Sequence, residues 1–98
     1  MRRAARVDEN LTAIVAAYRK MGCSVHVLNG VVDLIIGFGG LSDLVEIKNP
    51  ERAWVYTAAQ KQFRRFWTGG IRLVQTVDDV AIHVSELRKR HARLCKAS

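Results

Sequence analysis

The chain has 98 residues, of which 49% are hydrophobic, and it contains a single proline. This length suits one domain with one core, and the apolar content argues against a disordered chain. Sixteen Lys and Arg residues outnumber nine Asp and Glu residues, so the net charge is +7. Such a charge favours a polyanionic partner, either nucleic acid or an anionic membrane. A solvated basic surface with no such partner is the alternative.

The basic N-terminal stretch, MRRAARVDEN, is not followed by an apolar run, so we expect no signal peptide. No window approaches the roughly 18 consecutive apolar residues of a membrane span. The two cysteines are too few for a disulfide framework, and neither they nor the three histidines have metal-ligand spacing. We therefore expect a cytoplasmic protein with no membrane role and no small-molecule cofactor.

Hydrophobic periodicity and turn residues predict seven elements in the order αβββαβα. They are a helix over 7–21, strands over 23–28, 31–36 and 43–48, a helix over 57–68, a strand over 71–76 and a helix that begins at 78 and 79. Turns are predicted at Asn29-Gly30 and at the glycine-rich GFGG. The order predicts one α/β domain over 1–98, with a basic N-terminal arm (1–6) and a basic C-terminal tail (88–98).

Three charged residues interrupt the two strands on either side of GFGG. Side chains alternate along a strand, so Glu46 and Lys48 share one face. A loop of even length places Asp33 on the same face. Four loop residues would put it diagonal to Glu46, and six would put it directly opposite.

This spacing has two interpretations. Two close carboxylates repel unless a cation lies between them, and their hard oxygen atoms suit Mg²⁺, with Mn²⁺ as a substitute. Lys48 would then stabilise negative charge or help to deprotonate a water, as phosphodiester hydrolysis requires. The alternative is an ordinary ion pair on the polar face of a half-exposed sheet.

Four stretches, VDEN, GVVDLIIGF, LVEIKNP and TAAQKQF, carry a family resemblance. With the element order, they resemble the PD-(D/E)XK nuclease superfamily, in particular the virus-type replication-repair nucleases (VRR-Nuc family) and, more distantly, the archaeal Holliday-junction resolvases. The similarity extends over residues 7–80, and Val32 stands where the family commonly has proline. It implies a restriction-endonuclease-like domain in which helices flank a mixed central sheet.

By this resemblance, Asp33 and Glu46 bind the divalent metal together with the backbone carbonyl of Ile47. Lys48 orients or activates the attacking water. Glu9 matches the glutamate that the family places on its first helix, and is expected to be both catalytic and a metal ligand.

Glu9 and Gln60 each have a second interpretation. Glu9 lies on one helix side with Ala13 and Ala16, a small-residue stripe suited to close contact with a sheet, but it also suits the helix dipole, as Asp8 does. Gln60 matches a glutamine that supports the active-site face in the family, and it also fits a capping box, Thr-Ala-Ala-Gln.

Basic residues neutralise phosphates, and an aromatic side chain nearby stacks on an unpaired base or wedges a junction open. The predicted DNA-binding residues are Arg2, Arg3 and Arg6 before the first helix, Arg52 and Trp54 in the loop after the third strand, and Lys61, Arg64 and Arg65 on the second helix. Trp54 is equally suited to the core or to an oligomer contact. No helix has the pattern of a major-groove reader, so we expect recognition of DNA shape and backbone.

The resulting hypothesis is a Mg²⁺-dependent, structure-specific endodeoxyribonuclease for branched DNA. The leading hypothesis within this class is a Holliday-junction resolvase. A flap or nicking repair nuclease and a non-catalytic DNA-binding module on the same fold are the alternatives. The resemblance implies a homodimer, and likeness alone suggests a phage origin, hence the host cytoplasm. Phe63, Phe66 and Trp67 also supply more apolar surface than one small core needs.

Overall fold

The computed structural model describes the backbone of residues 3–51 and 55–97, and the side chains of residues 10–51 and 55–96. The predicted order αβββαβα is confirmed. The elements are α1 (Arg3–Lys20), β1 (Ser24–Val27), β2 (Leu34–Phe38), β3 (Leu41–Ile47), α2 (Ala58–Phe66), β4 (Ile71–Val74) and α3 (Val77–Ala97).

Several boundaries differ from the predicted ones. Helix α1 begins at Arg3, so Arg3 and Arg6 lie within the helix and not in an arm before it. The first turn of this helix is rich in Ala and Arg, which favour a helix without contributing apolar periodicity. Strand β2 begins at Leu34, so Asp33 lies just before the strand, and Lys48 lies just after β3.

The four strands form one mixed sheet in the order β1-β2-β3-β4. Strands β1, β2 and β3 are antiparallel neighbours, whereas β4 pairs parallel to β3. A parallel neighbour requires a crossover connection, and α2 lies within it. Strand β3 is therefore interior, with neighbours on both sides.

The connection between β2 and β3 is tighter than GFGG suggests. Phe38 pairs with Leu41, which leaves a two-residue turn, Gly39-Gly40, with φ values of 56° and 89°. Both positions need positive φ in a type I′ hairpin turn, which glycine adopts without strain. The turn is even in length, as the shared face requires, and Ile36 pairs with Asp43 in the register that a six-residue loop would give.

The turn at Asn29-Gly30 is wider than a two-residue hairpin. Val27 pairs with Leu34, so residues 28–33 form a six-residue loop. The N–H of Leu28 donates to the carbonyl of Asp33 at 2.8 Å and closes this loop. Asp33 is thereby held at the mouth of the hairpin, next to the start of β2.

Helices α1 and α3 contact each other and cover one face of the sheet. The buried core comprises Ile14, Val15, Ala17 and Tyr18 from α1, Cys23, Leu34, Ile36, Val45 and Val74 from the sheet region, and Val80, Val84 and Leu87 from α3. Leu94, near the end of α3, lies outside this core and is 55% exposed. At roughly 31 Å, the 21-residue α3 outruns the short strands that it covers.

A chain of buried polar side chains crosses this core. The Tyr18 hydroxyl is 2.7 Å from Nδ1 of His83, and Nε2 of His83 is 2.7 Å from an oxygen of Asp43. Arg90 donates to both Asp43 oxygens, at 3.3 and 3.4 Å. Its members lie far apart in the sequence, and no local pattern connects them, so the sequence does not predict this network.

Burial determines the protonation of the network. It lowers the pKa of His83, although the hydrogen bond to Asp43 opposes this shift. Burial also raises the pKa of Tyr18, so its hydroxyl stays protonated. A neutral imidazole has one donor and one acceptor, so Tyr18 donates to Nδ1 and Nε2 donates to Asp43.

Candidate active site

The predicted site lies on the face of the sheet opposite α1 and α3. Leu34 and Val45 are fully buried in the core together with residues of α1 and α3. Leu44, Glu46 and Lys48 alternate with Val45 and therefore belong to the other face. The sheet thus has an apolar core on one side and a charged cluster at one end of the other.

Asp33 is attached to β3 by two hydrogen bonds. Its backbone N–H donates to the carbonyl of Val45 at 3.1 Å. Its Oδ2 accepts from the backbone N–H of Ile47 at 2.7 Å. The carboxylate therefore lies against the peptide group that joins Glu46 to Ile47. The structure thus brings together the hairpin residues that the sequence pattern had placed on one face.

Glu46 is completely buried and lies between two cations. Nη1 of Arg64 is 3.1 Å from its Oε1, and Nζ of Lys48 is 3.4 Å from its Oε2. The Lys48 contact is an ion pair that lacks hydrogen-bond geometry. Oε2 therefore has no hydrogen-bond partner among the described residues. A buried carboxylate oxygen that lacks a donor is unusual in proteins and is suited to a cation.

Tyr56 supports both cations from the side of the loop that precedes α2. The Cζ atom of Arg64 is 4.6 Å from the centre of its ring, and Nζ of Lys48 is 5.6 Å from it. Cations over an aromatic face are attracted by the ring quadrupole. Tyr56 thus helps to hold the positive charges beside Glu46. No local spacing connects it with Lys48, so its role could not be found from the sequence.

The electrostatics of Asp33 fit a cation site as well. Burial raises the pKa of Asp33, while the hydrogen bond from Ile47 and the charge of Lys48 lower it. Burial thus removes water from around the ionised carboxylate, and a bound cation would compensate for this lost solvation. Together, Asp33 and Glu46 supply two negative charges, and Lys48 and Arg64 supply two positive charges.

The described side chains provide two carboxylates for a metal. No group of three or more His, Cys, Asp or Glu side chains suited to a metal occurs within residues 10–51 and 55–96. Mg²⁺ keeps several of its waters and binds through one or two carboxylates, so Asp33 and Glu46 fit this ion. A ligand role for the Ile47 carbonyl stays a prediction.

The two remaining predicted site residues have different outcomes. The side chain of Glu9 lies outside the described residues, and Ala13 and Ala16, expected on the sheet side of α1, are exposed. The prediction that Ala13 and Ala16 contact the sheet was wrong, because the buried side of α1 carries Ile14 and Tyr18. Gln60 forms the capping box, with its Oε1 accepting from Thr57 N–H at 2.9 Å. An active-site role for Gln60 stays a prediction.

The predicted DNA-binding residues are only partly described. Arg2, Arg52 and Trp54, and the side chains of Arg3 and Arg6, lie outside the described residues. Lys61 and Arg65 are exposed on α2, whereas Arg64 is directed at Glu46. Two of the three residues expected to supply surplus apolar surface are exposed: Phe66 at the end of α2 is 69% exposed, and Trp67 directly after the helix is 43% exposed. The dimer itself stays a prediction.

Comparisons with protein-family models, with curated proteins and with solved structures find no match to this chain. The nuclease resemblance therefore rests on the sequence motifs and stays a prediction. Among the described residues, no helix combines the length and the apolar character that crossing a bilayer requires.

Proposed function

We propose that this chain is a Mg²⁺-dependent endonuclease that hydrolyses phosphodiester bonds in branched DNA, first of all in four-way junctions. One observation carries the proposal. The Asp33 carboxylate is fixed against the Glu46–Ile47 peptide, where Glu46 is buried with one oxygen that lacks a hydrogen-bond donor. A binding module has no evident use for two carboxylates at a surface meant for phosphate.

In this proposal the hairpin holds the reacting groups. Asp33 and Glu46 would bind the metal, which when present polarises a phosphate oxygen and acidifies a bound water. Lys48, with its Nζ 3.4 Å from Glu46, would orient the attacking water and stabilise the charge that develops on phosphate. The side-chain position of Lys48 is restricted by Glu46 and Tyr56, which favours a constant geometry.

The substrate class follows from charge and surface. The net charge of +7 and the exposed Lys61 and Arg65 on α2 favour DNA phosphates as the main contacts. Contacts to phosphates do not report base sequence, so we expect selection by DNA shape. Symmetric cutting of a four-way junction needs two active sites, hence a homodimer. The working location would be the cytoplasm, that of the host if the chain is phage-encoded.

A second candidate function is a non-catalytic DNA-binding module on the same fold. The observation that favours it is the charge balance of the cluster, in which Lys48 and Arg64 already neutralise Glu46 without a metal. In this case the cluster would only join α2 to the sheet. Junction binding without cleavage would then be the complete activity.

Cleavage of an end-labelled four-way junction, in Mg²⁺ and in EDTA, tests these alternatives. Linear duplex, flap and single-stranded DNA of the same sequence serve as competing substrates. Asp33→Asn is the inactive variant, and Asp78→Asn is the matched control, because Asp78 is an exposed acid at the start of α3.

We expect paired, symmetric cuts on the junction that disappear in EDTA and in Asp33→Asn but persist in Asp78→Asn. Cuts confined to flaps or single strands would retain the metal site and assign a repair nuclease. Binding to the junction without a cut in Mg²⁺ or Mn²⁺ would reject the nuclease and favour the module.

A further inference from the structure

Arg64 differs from the other basic residues of its helix. Lys61 and Arg65 are exposed on α2, but the guanidinium of Arg64 reaches across to β3 and contacts the buried Glu46 at 3.1 Å. None of the residues of α2 is buried, so the helix itself is not anchored in the core. The contact therefore joins a surface helix to the centre of the candidate site.

The contact is hard to reconcile with a bound divalent cation. Mg²⁺ lies about 2.0–2.1 Å from its carboxylate ligands, so a metal on Glu46 would be within a few ångströms of the guanidinium. The cluster is neutral with two carboxylates and two basic side chains, and a divalent ion would leave it with an excess of two positive charges. Like charges this close repel strongly at a buried site.

Arg64 is better placed to leave than Lys48. Lys48 lies two residues from Glu46 on the same chain segment, and its side chain is only 16% exposed. The side chain of Arg64 is longer, 31% exposed, and comes from a helix without buried residues. Its guanidinium also suits the geometry of a phosphate, to which it can donate two parallel hydrogen bonds.

We propose that Arg64 competes with the metal for the charge of Glu46: it neutralises Glu46 through Oε1 while no metal is bound and moves onto a DNA phosphate when the metal binds. This inference rests on the proposed function and deepens it, since it makes the binding of metal and of DNA cooperative. The metal releases Arg64 for the phosphate, and a phosphate that holds Arg64 frees Glu46 for the metal. By linkage, each ligand raises the affinity for the other by the same factor.

Calorimetric titration with Mn²⁺ in the absence of DNA is the first test. Arg64→Gln removes the competing charge, and Arg65→Gln is the matched control, because Arg65 lies over Phe66 at the surface. We expect Arg64→Gln to bind Mn²⁺ about two- to fivefold more tightly, the upper part of the range for an ion pair with a partly exposed partner. Arg65→Gln should leave the affinity unchanged. Arg64→Lys, which keeps the charge, should bind Mn²⁺ less tightly than Arg64→Gln.

The second test measures the affinity for a labelled four-way junction by fluorescence anisotropy, in EDTA and in Ca²⁺. The DNA is checked afterwards for intactness. Arg64→Gln should weaken binding in Ca²⁺ more than in EDTA, because the wild-type guanidinium is free for phosphate only when the metal is bound. Arg65→Gln should weaken binding by the same factor in both buffers. Circular dichroism of each variant verifies that the fold is retained.

The outcomes separate the two proposals. If the wild-type protein binds Mn²⁺ and Arg64→Gln binds it no more tightly, Arg64 does not compete with the metal, and the nuclease proposal still stands. If the wild-type protein and Arg64→Gln both show no Mn²⁺ binding, the metal site and the inference fall together. Tighter Mn²⁺ binding together with a Ca²⁺-dependent loss of DNA affinity in Arg64→Gln would support the exchange.

Discussion

The buried hydrogen bond between Tyr18 and His83 makes a quantitative prediction about stability. Tyr18→Phe removes one hydroxyl and leaves the ring in place, so Nδ1 of His83 loses its donor in a region without solvent access. A buried acceptor without its partner costs about 1–3 kcal/mol. For a domain of this size, this corresponds to a fall in Tm of roughly 5–20 °C.

Urea unfolding followed by circular dichroism at pH 8 measures this cost as a change in midpoint at constant slope. The internal control is a double-mutant cycle with His83→Leu. In that background the Tyr18 hydroxyl already lacks its acceptor, so Tyr18→Phe should cost little or should stabilise. A cost below about 0.5 kcal/mol in the wild-type background, or an equal cost in both backgrounds, would refute the role assigned to this hydrogen bond.

Three further predictions concern other residues. Burial lowers the pKa of His83 below its ordinary 6.5, so below about pH 6.5 the unfolded chain binds a proton more readily than the folded chain, and the free energy of unfolding falls. When unfolding is measured from pH 8 to pH 5, this fall should be smaller for His83→Leu than for the wild-type protein. A Cβ at Gly70 would lie 2.7 Å from Oδ1 of Asp43, so Gly70→Ala should lower the free energy of unfolding by about 1–3 kcal/mol, whereas Gly30→Ala, with nothing within 4 Å of its Cβ, should not. Gln60→Glu keeps a capping-box acceptor, so it should preserve Tm. A loss of cleavage at unchanged Tm would assign Gln60 to the active site, whereas unchanged cleavage would mean that Gln60 only caps the helix.

The element order could be predicted because its signals are local. Apolar spacing, glycine stops and turn residues lie within the segments that they define, and all seven elements were found. The start of β2 at Leu34 was harder to predict from the sequence. The side chain of Asp33 replaces a backbone acceptor for Ile47, and a contact between residues fourteen positions apart has no local signature.

The candidate site shows the same limit. Alternation along β3 was sufficient to place Glu46 and Lys48 on one face, and the even-length turn brought Asp33 beside them. Arg64 was predicted to bind DNA because its charge was visible, but its ion pair with Glu46 depends on the path of the crossover. The Asp43–His83 pair, forty residues apart, was missed for the same reason.

The mixed topology of the sheet has a consequence for the order in which the candidate site assembles. Asp33 and Ile47 belong to one hairpin with a two-residue turn, a local structure that closes within microseconds. Arg64 reaches Glu46 from α2, inside the crossover to the parallel strand β4, and such non-local pairing is slower because a longer loop must close first. We therefore expect the two carboxylates to meet during folding before Arg64 reaches Glu46. If Asp33 and Glu46 bind a divalent cation, as proposed, the cation should stabilise the early hairpin and accelerate refolding, and it should do so less in Asp33→Asn.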